Sequence, residues 1–179
     1  MKKILAFAGS SSPTSINHQL ILNVTNRISD HEIEVLDLHD VIFPMYSTVE
    51  EKEGFPKNVK LLYEKILDAS ALIISVNEYN ANVSGFFKNI LDWLSRLDRK
   101  FLQEKKILLM STSPGKRGGA SALEYCKNQF PRFGGQVVES FSLPLFYENF
   151  DSEKGIILNE VFDLGITEVI TAFSQQIKE

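Results

Sequence analysis

The chain has 179 residues, of which 44% are hydrophobic and 23% are charged. This composition is typical of a soluble globular protein and excludes a disordered or fibrous chain. The length predicts a single domain over residues 1–179. Nineteen basic against 23 acidic residues leave a net charge of −4, which excludes the positive surface typical of proteins that bind nucleic acid or anionic membranes.

Cysteine and histidine content restricts the possible chemistry. Cys126 is the single cysteine, so an intrachain disulfide is impossible. This cysteine and the three histidines lack the spacing of a metal site, and no bound metal is expected. The apolar run after Lys2 and Lys3 is too short for a signal peptide, so the expected location is the cytoplasm.

Apolar runs and helical periodicities alternate along the chain. Apolar runs predict strands at residues 4–8, 71–76 and 107–110, and an alternating pattern predicts a strand at 32–38. Residues 137–143 are predicted to form the last strand. Apolar residues at helical spacing predict helices at 16–28, 59–67, 84–97, 119–130 and 159–177. Residues 39–55 are predicted to form a long acidic surface loop.

This alternation predicts an α/β fold: a doubly wound, five-stranded parallel sheet with helices on both faces. The run 71–76 is apolar on both faces, as expected for a buried parallel strand. In open sheets of this kind, ligands bind at the carboxyl ends of the strands. The loops at 9–17, 77–84 and 113–119 are therefore expected to lie together as one binding site.

The first loop has the composition of a phosphate-binding turn. Between Gly9 and Asn17 it contains five hydroxyl side chains, and it leads directly into a predicted helix. Backbone N–H groups at a helix N-terminus bind anions, and neighbouring hydroxyls add donors. The spacing matches neither the dinucleotide fingerprint nor the P-loop. A serine-rich connection with one N-cap at Ser15 is the alternative interpretation.

The other two loops carry weaker signals. The second combines Tyr79 with amides and the carboxylate of Glu78, a set that can border a planar ring. The third places Lys116 and Arg117 among glycines that permit close backbone approach. A polar turn and a basic solvated turn are the respective alternatives.

Taken together, the three loops resemble the NAD(P)H-dependent FMN reductase family, a flavodoxin-like group that includes quinone and azo-dye reductases. Residues 78–80 read E-Y-N and residues 85–93 read G-F-F-K-N-I-L-D-W, similar to the family's P-E-Y-N and G-x-L-K-N-x-L-D-W. Residues 9–17 are similar to its G-S-x-R-x-x-S-x-N phosphate loop, and residues 115–119 to its glycine-rich third loop. The resemblance covers nearly the whole chain.

The resemblance implies an FMN-dependent oxidoreductase that transfers hydride from NADPH or NADH, through the flavin, to a small acceptor such as a quinone, an azo compound or free flavin. No catalytic side chain is implied, because the flavin N5 carries the chemistry. The phosphate is expected on the first loop and the isoalloxazine between the second and third. The implied cofactor-binding residues are Ser10, Ser12, Ser15, Ile16, Asn17, Asn77, Glu78, Tyr79, Asn80, Ser113, Gly115, Arg117 and Gly118.

Two positions depart from the family pattern. Ser12 stands where the family has an arginine, and Asn77 stands where it has a proline. Losing a guanidinium partner of the phosphate weakens FMN binding by about 1.5–3 kcal/mol if nothing replaces it. The hydroxyls of the first loop offer an uncharged replacement of the kind that flavodoxins use.

Two other functions remain open: a flavodoxin-type electron carrier without its own substrate, and a scaffold that has lost its flavin.

The pattern of helix 84–97 bears on the quaternary structure. The helix 84–97 has an apolar arc of roughly 160°, wider than the roughly 100° stripe of a surface helix. Because members of the family commonly pair through this helix, we expect a homodimer. The alternative is a helix buried more deeply within one subunit.

Overall fold

A computed structural model describes residues 1–178 of the chain. In it, strands alternate with helices along most of the sequence. The elements are β1 (Lys3–Ala8), α1 (Ile16–Thr25), β2 (Glu32–Leu36), α2 (Thr48–Glu53), α3 (Lys57–Asp68), β3 (Ala71–Val76), β4 (Glu78–Tyr79), β5 (Asn82–Val83), α4 (Gly85–Leu97), β6 (Lys106–Thr112), α5 (Ala120–Gln129), a 3₁₀ turn (Phe130–Phe133), β7 (Gln136–Leu143), α6 (Phe146–Asn149), β8 (Phe150–Asp151), β9 (Ile156–Ile157) and α7 (Glu160–Lys178).

Five of these strands form one parallel sheet in the order β2-β1-β3-β6-β7. The chain winds from β1 outward to β2, returns to β3 on the other side of β1, and continues through β6 to β7. The winding therefore reverses between β1 and β3, where ligand clefts form in such sheets. This topology confirms the predicted doubly wound parallel sheet.

The sheet separates two apolar cores, because successive side chains of a strand point to opposite faces. Leu5 and Phe7 of β1 lie in the core that α3, α4 and α5 cover, whereas Ile4 and Ala6 lie in the core that α1 and α7 cover. Every residue of β3 is buried. Close packing on both faces fixes the carboxyl ends of the central strands, and hence the start of each loop of the site.

The C-terminal helix α7 is amphipathic. Its buried positions Ile166, Ile170, Phe173 and Ile177 recur at helical spacing and pack on the sheet, as the sequence predicts. Among the helices in residues 1–178, none has the length and apolar character needed to cross a membrane.

The segment 39–55 lies at the surface, as its acidic composition predicts, but it is not a loop throughout. It contains α2, whose N-cap Ser47 accepts a hydrogen bond from the Glu50 N–H at 3.1 Å. Glu50 and Glu51 favour a helix here because they lie in its first turn, at the positive end of the dipole. The prediction misses this helix because six residues are too few to display a hydrophobic periodicity.

This same segment covers the apolar arc of α4. The fully buried Trp93 ring packs edge-on against Tyr46 and Phe55, with centroids 5.2 Å and 6.0 Å apart. The Trp93 indole N–H donates to the Pro44 carbonyl at 2.7 Å, and Asn89 Nδ2 donates to the same carbonyl at 3.0 Å. Burial within one subunit therefore explains the width of the arc, which by itself does not indicate a partner.

Three short elements of the structure are not predicted from the sequence. They are the hairpin of β4 and β5, the hairpin of β8 and β9, and the single turn α6. The strands of the two hairpins have two residues each and α6 has four, which is too short for a helical or strand periodicity to be recognised.

Candidate functional site

The three predicted loops meet at the carboxyl-end edge of the sheet and border a cleft of about 240 Å³. The cleft lies where β1, β3 and β6 end side by side. It is lined by Ser10, Ser12, Thr14, Ser15, Ile16, Asn17, Asn77, Glu78, Tyr79, Thr112, Ser113, Pro114 and Tyr147. A second cavity of about 240 Å³ adjoins it and shares Ser10, Ser12, Asn77 and Tyr79 with it.

The first loop presents free backbone donors where α1 begins. Ser15 is the N-cap, and its Oγ accepts a hydrogen bond from the His18 N–H at 3.2 Å. Within residues 1–178, the N–H groups of Ile16 and Asn17 have no hydrogen-bond acceptor. Two free donors at the positive end of a helix, beside serine hydroxyls, form an anion-binding surface.

Hydroxyl groups hold the backbone of the first loop. The Ser10 Oγ accepts from the Ser12 N–H at 3.2 Å, and the Ser12 Oγ accepts from the Thr14 N–H at 3.3 Å. Turns of this kind let a serine side chain replace a backbone acceptor. The loop is therefore ordered by neutral groups, with Ser12 at the position where the family pattern has arginine.

The side chain of Asn17 connects α1 to two strand ends. Its Oδ1 accepts from the Ser75 Oγ at 2.8 Å and from the Thr112 N–H at 3.1 Å, and its Nδ2 donates to the Thr112 carbonyl at 3.2 Å. Asn17 is only 2% exposed. This side chain therefore positions the first loop relative to β3 and β6, while the backbone N–H of Asn17 is left free for a ligand.

Glu78 connects the second loop to the third. Its Oε2 accepts from the N–H groups of Ser121 at 2.7 Å and Ala122 at 3.0 Å, in the first turn of α5. The N-cap of α5 is Gly119, which has no side chain to serve as the cap. Glu78 supplies the missing acceptor from a distant part of the sequence, and its negative charge suits the positive end of the helix.

Tyr79 belongs to a tight hairpin. It pairs with Asn82 across the turn, and Asn80 and Ala81 at the tip have φ angles of 52° and 60°. Positive φ at both central residues is typical of a type I′ turn, which a non-glycine residue such as Ala81 adopts at a cost of about 1 kcal/mol. Tyr79 is 62% exposed and lines the cleft, whereas Asn80 lies at the tip, outside the lining.

Asn77 carries an unsatisfied polar atom in the wall of the site. It is 8% exposed, lines both cavities, and has a buried Oδ1 without a hydrogen-bond partner among the described residues. Buried polar side chains nearly always have a partner, from the protein, from water or from a ligand. The unpaired amide is therefore consistent with a polar ligand in this place.

The third loop borders the cleft at Ser113 and then turns away from it. The Gly118 carbonyl accepts from Ser111 Oγ at 2.7 Å and from Ser142 Oγ at 3.0 Å. A Cβ on Gly118, which has φ +58°, would lie 2.3 Å from Ser142 Oγ. Close packing against β6 and β7 thus requires glycine here. Gly115, Arg117 and Gly118 all lie outside the lining of the cleft.

Two lining residues lie outside the three predicted loops: Thr112, which ends β6, and Tyr147. Tyr147 is the more distant from any predicted loop. It lies in α6, directly after β7, and is 70% exposed. Asn149 holds this turn by donating from Nδ2 to the Pro144 carbonyl at 2.9 Å. A signal was present: the segment after β7 starts at the same edge of the sheet as the other three loops.

Residues 2–148 match the family model described as NADPH-dependent FMN reductase. The chain belongs to this family. A quinone reductase of Escherichia coli K12 is 28% identical over 98% of this chain and 95% of the relative. An NAD(P)H-dependent FMN reductase of Pseudomonas aeruginosa is 30% identical over 67% of this chain and 64% of the relative. The flavoenzyme NAD(P)H:(acceptor) oxidoreductase of Paracoccus denitrificans has a similar structure, with a TM-score of 0.78, 25% identity, and coverage of 99% of this chain and 98% of that chain.

Membership of the NADPH-dependent FMN reductase family confirms three expectations: the flavodoxin-like fold, the oxidoreductase activity, and the use of FMN with NAD(P)H.

The structure also explains part of the family motif on α4. Asn89 and Trp93 bind the segment around Pro44, and neither lines the cleft. Their contribution is to fix the segment that packs on α4. No group of three or more histidine, cysteine or acidic side chains is arranged to hold a metal in residues 1–178.

Proposed function

We propose that the cleft binds FMN, with the phosphate on the first loop and at the start of α1. The single observation that carries this proposal is the pair of unpaired N–H groups of Ile16 and Asn17, next to the hydroxyls of Ser10, Ser12 and Ser15. A phosphate accepts several hydrogen bonds at once, and a helix N-terminus adds a favourable dipole. Neutral donors replace the arginine that the family pattern has at position 12.

The rest of the cleft suits the ring system of the cofactor. The second loop contributes Asn77, Glu78 and Tyr79, the third contributes Ser113, and Tyr147 adds an exposed aromatic surface. The unpaired Oδ1 of Asn77 is the kind of orphaned group that a polar heterocycle satisfies. Asn80, Gly115, Arg117 and Gly118 lie outside the lining, and we propose that the glycines and Asn80 shape the two loops.

Bound FMN supplies the redox chemistry, because it accepts a hydride from NAD(P)H and delivers the electrons to a second substrate. The protein side chains bind and orient the substrates. The carboxylate of Glu78 is engaged by the two α5 N–H groups, so it serves as a structural cap in preference to a proton donor or acceptor. The remaining lining side chains are hydroxyls, amides, apolar groups and two phenols. This set fits hydride transfer, which requires no acid or base from the protein.

Small planar acceptors suit this cleft best. Tyr79 and Tyr147 are both largely exposed at its mouth, where they present aromatic faces to a quinone or a similar ring. The similar Escherichia coli protein is a quinone reductase, which supports the same class of acceptor.

We propose that residues 1–179 function as one domain around the single large sheet. We also propose that the protein works in the cytoplasm, where its unpaired cysteine stays reduced.

We further propose a homodimer in which a second copy covers the outer surface of the segment over α4. Ile42, Met45 and Val49 of that segment are 78%, 73% and 68% exposed, and an apolar surface of this kind favours association. Analytical ultracentrifugation at micromolar concentration tests the proposal. A dimer that Met45→Glu converts to a monomer supports it, and a wild-type monomer contradicts it.

The experiment that tests the proposed function is a flavin titration followed by anaerobic reduction. Wild-type protein should bind FMN and lose the visible flavin absorption when NADPH or NADH is added without a partner protein. Ser10→Ala should weaken FMN binding, whereas the control Ser70→Ala, at an exposed position before β3, should not. Bound flavin that neither nucleotide reduces would favour an electron carrier, and failure to bind FMN would favour a scaffold without flavin.

A further inference from the structure

The turn that carries Lys116 and Arg117 is rigidly attached to the site. The Gly115 carbonyl accepts from the Gly118 N–H at 3.2 Å and from the Leu145 N–H at 3.1 Å. The Gly118 carbonyl accepts two further hydrogen bonds from hydroxyls of β6 and β7. The backbone of the turn is thus fixed at both ends, close to two residues that line the cleft: Pro114, which precedes it, and Glu78, whose Cβ lies 3.7 Å from an ideal Cβ on Gly119.

The two side chains on this turn are free. Lys116 and Arg117 are exposed, and neither forms an ion pair with another residue in the described part of the chain. By contrast, Lys88 and Lys154 are paired with Asp92 and Asp151. Lys116 and Arg117 are therefore two adjacent, unpaired cations on a fixed backbone beside the cleft.

The cleft itself holds no positive side chain, since no lysine or arginine is among its lining residues. Neutral donors at α1 suffice for one phosphate, but a nicotinamide dinucleotide brings a pyrophosphate and, in NADPH, a further 2′-phosphate. These groups must lie outside the part of the cleft that binds the ring of the cofactor. Lysine and arginine bind phosphate through charge-assisted hydrogen bonds, arginine often through two at once.

We propose that Lys116 and Arg117 bind a phosphate group of the nicotinamide dinucleotide, and so position the electron donor over the cleft. This inference rests on the proposed function of the cleft, and it assigns Arg117 to the dinucleotide instead of to FMN. Two sources share the ligand chemistry, the 2′-phosphate and the pyrophosphate. If the two side chains bind the 2′-phosphate, the protein should prefer NADPH. If they bind the pyrophosphate, they should increase the affinity for NADPH and NADH equally.

The test is the double variant Lys116→Gln/Arg117→Gln, loaded with FMN and compared with wild type. We expect KM for NADPH to rise about tenfold or more with kcat nearly unchanged, because two charge-assisted contacts are lost. The dependence of this KM on salt should also become weaker, since exposed charges are screened by ions. An unchanged KM for NADH assigns the 2′-phosphate as the ligand, and an equal rise for both nucleotides assigns the pyrophosphate.

The matched control is Arg99→Gln/Lys100→Gln. This adjacent arginine and lysine are also exposed, but they lie between α4 and β6, at the amino-end edge of the sheet. The control removes the same charge and should leave both KM values at the wild-type level.

The outcomes separate this inference from the proposed function. A wild-type protein that binds no FMN, or that oxidises neither NADPH nor NADH, contradicts the proposed function itself. An active wild type whose double variant keeps both KM values, or changes them no more than the control does, overturns the inference alone. A double variant that loses FMN affinity, measured by flavin fluorescence, also overturns it, because Arg117 then serves the cofactor.

Discussion

The carboxylate of Glu78 accepts a 2.7 Å hydrogen bond from the backbone N–H of Ser121, a residue 43 positions further along the chain. Glu78 follows the central strand β3, and Ser121 lies in the first turn of α5. The Glu78 side chain thereby connects the second loop of the cleft to α5, the helix that follows the third loop. A residue that the family motif suggests as a ligand contact is in this structure also a helix cap.

Replacing this cap should loosen the third loop. Glu78→Ala leaves two N–H groups of α5 without an acceptor, and we expect it to lower the free energy of unfolding by about 1–2 kcal/mol. Glu78→Gln keeps an acceptor but loses the charge, so its effect should be smaller. Thermal unfolding without FMN measures both. Equal stability of Glu78→Ala and wild type would contradict the capping role.

Asn17 offers a way to separate positioning from binding. Asn17→Ala removes three hydrogen bonds and leaves the Thr112 N–H unpaired, which should cost about 2–4 kcal/mol of stability. Asn17→Asp keeps both accepted hydrogen bonds but brings a negative charge next to the proposed phosphate site. We therefore expect Asn17→Asp to be the more stable of the two and to bind FMN more weakly than wild type. Urea unfolding and flavin titration provide the two measurements, and wild-type FMN affinity in both variants would remove the assignment of the first loop.

Gly118 and Gly115 form a matched pair in the third loop. Gly118→Ala forces a Cβ to within 2.3 Å of Ser142 Oγ at a φ of +58°, and should destabilise the fold by about 2–4 kcal/mol. At Gly115 the nearest atom to an ideal Cβ is 3.7 Å away, so Gly115→Ala should stay within about 0.5 kcal/mol of wild type. Denaturant unfolding of both variants checks the pair. Equal effects of the two substitutions would show that the packing at Gly118 is not tight.

Cys126 should be inert in the folded protein. It is fully buried in α5, and burial raises the pKa of its thiol from 9.0 to about 12. Because the thiolate is the reactive form, a thiol reagent should modify Cys126 only after urea unfolds the chain. Rapid modification of the native protein would contradict this burial.

The same raised pKa makes a prediction about alkaline stability. The folded state retains the Cys126 proton at pH values where the unfolded state has lost it, so stability should fall as pH rises from about 9 towards 12. The slope due to this group is at most about 1.4 kcal/mol per pH unit. Cys126→Ala should have a shallower slope between about pH 8 and pH 10, measured by urea unfolding. Identical slopes for Cys126→Ala and wild type would show that the thiol does not contribute to the pH dependence of stability.

The sequence by itself determined the sheet and the place of the site. Apolar runs such as 71–76 are typical of strands buried on both faces of a parallel sheet, and loops that follow parallel strands meet at one edge. Local chemistry also sufficed for the cap at Ser15, because an N-cap depends on neighbours three residues away. These features follow from short-range periodicity, which a single sequence displays directly.

Only the tertiary structure decided what the side chains do there. The partners of Glu78 and of Asn17 lie 43 and 95 residues away, and no local pattern encodes such pairings. The cover over Trp93 and the presence of Tyr147 in the cleft likewise depend on how distant segments pack. The physical reason is that hydrogen bonds and packing contacts form between residues that are close in space. Folding brings distant residues together, and the spacing of residues along the sequence does not show which ones meet.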